Sequence, residues 1–63
     1  MTLMLALEMD GAAFHEGGNA DEAARILRTL ASALIASGDL DTRNGGKLRD
    51  SNGNTVGSWT VTD

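Results

Sequence analysis

The segment Asp50-Ser51-Asn52-Gly53-Asn54 sets an acid and two amides at alternate positions, the spacing with which a calcium loop begins. A loop of the EF-hand type started at Asp50 would need glycine at its sixth position and a bidentate acid at its twelfth. Those positions hold Thr55 and Val61, and Asp50 is the single carboxylate among the first five. The ion reading fails on its chemistry. Asn52-Gly53 is instead the preferred pair for a two-residue type I′ turn, in which both central residues take positive φ, so the segment is read as a hairpin.

The remaining reactive side chains are few. His15 is the one histidine, and the chain has no cysteine, so neither a thiolate metal site nor a disulfide is available. A general base or a metal ligand needs partners, and none lies near His15 in sequence. Gly17-Gly18 precedes a helix start, a place where backbone N–H groups can hold an anion; Glu16, Asp21 and Glu22 would repel one. No phosphate-binding, dinucleotide or zincin motif occurs. The residue set points away from an enzyme and implies no cofactor or metal.

Charge is the stronger signal. The chain carries a net −4, and residues 1–24 hold Glu8, Asp10, Glu16, Asp21 and Glu22 with no lysine or arginine. An acidic first third disfavours direct nucleic-acid binding, which needs a basic footprint. It favours either a solvated face or steering toward a basic protein surface. These five carboxylates are therefore candidate partner-binding residues.

The elements that must carry these groups follow from periodicity. In residues 2–9, Leu3, Leu5, Leu7 and Met9 alternate with Thr2, Met4, Ala6 and Glu8, the period of a half-buried strand. Residues 10–18 form a loop, in which Phe14 either closes one end of the core or projects as an anchor for a partner. Residues 20–37 read as a helix: no proline or glycine interrupts them, and Ala23, Ile26, Leu27, Leu30, Ala31 and Leu34 form one apolar stripe. Asn19 is the expected N-cap with Glu22 completing a capping box, and Gly38 is the expected stop. Residues 47–62 form the hairpin, with Leu48 facing Gly57, Arg49 facing Val56 and Asp50 facing Thr55.

The expected fold is α+β, a single β-α-β-β domain over residues 1–63. Its three-stranded antiparallel sheet has the C-terminal strand in the centre and the helix on one face. The expected core is Leu3, Leu5, Leu7, Met9, Ile26, Leu27, Leu30, Leu34, Leu48, Trp59 and Val61. That is a small core for an unstapled chain, so a homodimer or another partner is plausible. Met4, Ala6 and Val56 fall on the uncovered sheet face, where Met4 and Val56 are further candidate contacts; a bulge near Gly57 would bring Val56 into the core instead. No apolar run is long enough to span a membrane, and the chain starts without the basic stretch of a secretory signal, so a cytoplasmic location is expected.

The helix segment R-I-L-R-T-L-A and the ending L-R-D-S-N-G-N-T-V-G-S-W resemble a group of small, mostly uncharacterised proteins encoded by phages and prophages. In these a helix of type A-R-I-L-R-x-L-A leads to a terminal L-x-D-x-N-G-N-x-V-G-x-W hairpin. The resemblance covers about residues 22–61, and Leu48 to Trp59 is its most specific part. It implies a small acidic protein in the host cytoplasm that binds and inhibits a host protein, an anti-CRISPR or other counter-defence inhibitor. A self-associating structural or regulatory module is the alternative.

Overall fold

Alternating leucines build the first strand, β1 (Thr2–Leu7), in the computed structural model, which describes all 63 residues. The strand is shorter than the expected 2–9, although Glu8 still donates its N–H to the Val56 carbonyl at 2.7 Å. A loop with one 3-10 turn (Ala12–Phe14) leads to α1 (Asn19–Ser37). The hairpin β2 (Gly45–Arg49) and β3 (Thr55–Thr62) completes the chain. All pairing is antiparallel in the order β1-β3-β2, so β3 is central and the β-α-β-β expectation holds.

The N-terminus of α1 departs from the capping box. Gly18 occupies the cap position and no side chain caps the helix. Asn19 is already helical, and the Glu22 carboxylate is turned away toward Arg25 and Ser51. At the other end Gly38, with φ 77°, donates to the Ile35 carbonyl as a helix-stopping glycine does.

The hairpin differs from the type I′ form in a way that changes its register. Gly53 has φ 82°, while Asn52 does not take positive φ, so the two-residue turn is not made. Gly53 N–H donates to the Asp50 carbonyl at 3.0 Å, and Asp50 N–H donates to the Asn54 carbonyl at 2.9 Å. This is a three-residue loop closed by a left-handed glycine. Asp50 organises it: one carboxylate oxygen accepts the N–H groups of Asn52 and Asn54, each at 2.9 Å. Beyond the loop Leu48 pairs with Gly57 as expected, but Arg49 pairs with Thr55. Val56 is the extra residue of a bulge, which turns it into the core rather than onto the open face.

The core is built from Phe14, Ile26, Leu30 and Leu48, with Leu7, Met9, Ala23, Leu34, Val56 and Trp59 packed around it. Phe14, the most buried at 1% exposure, belongs wholly to this core and offers nothing to a partner. The helix rests on the Ala12–Phe14 turn and on β2 rather than across the whole sheet. Leu3 and Leu5 therefore stay 47% and 40% exposed, and Leu27 lies on an open flank of α1. These three, expected in the core, lie outside it. Gly57 faces Leu48 on one side, and on the other a Cβ there would run into the Ala6 carbonyl of β1. The missing side chain lets β1 close on β3.

Candidate interaction site

Of the five acids in the first third, the structure separates one from the rest. Glu22 is 8% exposed and lies between α1 and the hairpin loop. Its carboxylate accepts the Ser51 N–H at 2.7 Å, the Ser51 hydroxyl at 2.7 Å and two N–H groups of Arg25 at 3.1 and 3.3 Å. Donation by Arg25, then by Ser51, holds its pKa well below the usual 4.5, at about 2. Arg25 also donates to the Arg49 carbonyl at 3.3 Å, tying the helix to the end of β2. The capping-box spacing concealed this role, because nothing local in the sequence says that Ser51 folds back onto the first helical turn.

Glu8, Asp10, Glu16 and Asp21 remain exposed. Glu16 and Asp21 line one shallow concavity with Gly17, Gly18 and Ser51, whose floor also holds the Glu22–Arg25 pair. The Asp10 carbonyl lies 3.1 Å from His15 Nε2 within the same loop. Glu8 follows β1 beside the Val56 bulge. The loop from Glu8 to Gly18 thus runs at the end of the sheet that carries the hairpin turn, where Gly11 lies beside Asp50. It brings Glu8, Asp10 and Glu16 to the pole on which α1 begins with Asp21. The ion pairs of the chain, Arg25–Glu22 and Arg43–Asp41, involve none of them.

Two other surfaces accompany this acidic pole. On the open sheet face Met4 is 55% exposed, and Met4 and Ala6 border a shallow depression with Ser58 and Thr60. Alternation from Leu48 puts Lys47 and Arg49 on the same face, at the β2 edge. Between α1 and β2 runs a groove of about 460 Å³, with Ile26, Leu30, Leu48 and Trp59 on its apolar side. The Trp59 indole lies against Gly46 there, so the chain's one tryptophan reports on the packing of helix against hairpin.

No helix is long and apolar enough to cross a membrane. No protein-family model, curated protein or solved structure matches the chain.

Proposed function

We propose that this chain is a small, non-enzymatic protein of the phage or mobile-element kind that binds a host protein and inhibits it. The target carries a basic, nucleic-acid-handling surface, as CRISPR–Cas effectors and other defence nucleases do. The observation that supports this is the acidic pole: Glu8, Asp10, Glu16 and Asp21 are exposed and enter neither of the chain's ion pairs. Surface carboxylates outside ion pairs accelerate encounter with a basic partner, the more so at low salt. Val56 and Phe14 are held in the core, and Glu22 is buried in its pair with Arg25, so none of the three adds free charge to this surface. The resemblance of the helix and hairpin to phage-encoded proteins supports the same reading.

The test is protection of a sensitive phage in host cells with an active CRISPR–Cas or restriction system. Wild-type chain is compared with a variant bearing Glu8→Lys, Asp10→Lys, Glu16→Lys and Asp21→Lys. Protection by the wild type and its loss in the reversed, still folded variant is the expected result. Equal protection by both, or none by the wild type across defence systems, refutes the reading.

A further inference from the structure

The two edges of the sheet are treated differently by this sequence. An edge strand exposes unpaired N–H and C=O groups, and soluble proteins blunt it with charge, bulges or cover. The β2 edge has two of these: Lys47 and Arg49 lie on it, and the Arg25 side chain covers its end by donating to the Arg49 carbonyl. The β1 edge has none. Its residues, T-L-M-L-A-L, carry no charge and no proline, and the strand is exposed along nearly its whole length.

The direction of the free groups follows from the register. Glu8 N–H bonds to Val56, and the ladder pairs Ala6 with Ser58, Met4 with Thr60 and Thr2 with Thr62. In an antiparallel ladder residues alternate between exchanging both bonds with the neighbour and pointing both groups away. The even residues therefore bond β3, while Leu3, Leu5 and Leu7 aim N–H and C=O out of the sheet.

We propose that β1 is the interface with a second copy of this chain, paired antiparallel about a twofold axis at Leu5. Leu3 then faces Leu7 of the other copy, Leu5 faces Leu5 and Met4 faces Ala6. Every outward group of the strand finds a partner in this register, and the two three-stranded sheets become one. The half-exposed Leu3 and Leu5 side chains, which α1 leaves uncovered, pack against their counterparts. No like charges meet along the strand, and the antiparallel arrangement carries the two acidic poles to opposite ends. The interface is isologous, so it closes at two copies. This inference stands apart from the acidic-pole reading and rests on a different surface.

The test uses the whole chain in solution. Light scattering from about 10 μM to about 1 mM follows mass as dimer forms by mass action. A strictly monomeric mass throughout overturns the proposal. Leu5→Pro removes an outward N–H while leaving the β1–β3 ladder bonds in place, a substitution edge strands tolerate. The expected variant is monomeric with an unchanged circular dichroism spectrum, and a variant that still dimerises overturns the proposal. Amide hydrogen exchange of the wild type decides the matter if that variant does not fold. Exchange at Leu3, Leu5 and Leu7 should slow as concentration rises, while Met4 and Ala6 stay protected at every concentration. Rates at the odd residues that ignore concentration place any association elsewhere and overturn it.

Discussion

Phe14 gives the sharpest test of how this small chain holds together. It is the most buried large side chain, at 1% exposure, and it sits in a loop between the first strand and the helix rather than in either. Phe14→Ala removes the ring from a cluster whose other buried members are Ile26, Leu30 and Leu48. Truncations of this kind cost about 3–5 kcal/mol, from lost transfer energy together with the cavity left behind. At about 0.05–0.15 kcal/mol per residue, a chain of this length has roughly 3–9 kcal/mol in total. The substitution should therefore bring the protein to the brink of unfolding at 25 °C. Phe14→Leu, which keeps most of the volume, should cost about 1.5 kcal/mol or less. Urea titration followed by Trp59 fluorescence measures both, because the indole packs against the same cluster. A Phe14→Ala protein within about 1 kcal/mol of wild type would refute the assignment of Phe14 as the keystone of the core.

Glu22 makes stability depend on acid. Its pKa is lowered in the fold from 4.5 to about 2, so its contribution is complete above its unfolded value and is lost as pH falls through that interval. Asp41, held down by Arg43, adds in the same direction, but this pair is exposed and its share is small. Melting temperature should drop between about pH 5 and pH 2, and Glu22→Gln should be less stable at neutral pH with a flatter profile; parallel profiles for the two proteins would contradict this. Gly57→Ala should separate β1 from β3, since the new methyl meets the Ala6 carbonyl and backbone cannot yield as a side chain can. Amide exchange at Met4 and Ala6 should rise steeply in that variant, and unchanged protection there would count against the close approach.

The sheet order and helix span were legible because they rest on periodic patterns repeated over many residues. Period two in β1, an apolar stripe in α1 and an Asn-Gly between two strand-like runs each point to one answer. What escaped depends on a single residue or on contact across the fold. The loop length at Asp50–Asn54 differs by one residue from a type I′ turn, and that residue sends Val56 inward instead of outward. Asp50 has the carboxylate needed to organise the longer loop, yet the same letters satisfy both turn types. Glu22 looked like a local capping residue, and only the return of Ser51 from 29 positions away reveals its partner. Leu3, Leu5 and Leu27 have the right period for a core but lack cover. Periodicity tells which face of an element is apolar and is silent on how far the helix reaches across the sheet.

The placement of that helix connects the two proposals. Because α1 is anchored to the hairpin loop through Glu22, Ser51 and Arg25, it lies toward β2 and leaves the leucines of β1 without a roof. The same anchoring pairs Glu22 with Arg25, so the net negative charge there comes from Glu8, Asp10, Glu16 and Asp21. Pairing through β1 then joins two chains whose poles point in opposite directions, and of the four acids only Glu8, which faces Thr2 of the other copy, lies beside the pairing. Such a dimer offers one acidic end to each of two basic sites. On an oligomeric target the second engagement becomes intramolecular, and its strength is set by the distance between sites instead of by a new contact. Disrupting the β1 pairing with Leu5→Pro should therefore weaken binding to a multivalent target much more than to a single site, while charge reversal at the pole should weaken both alike.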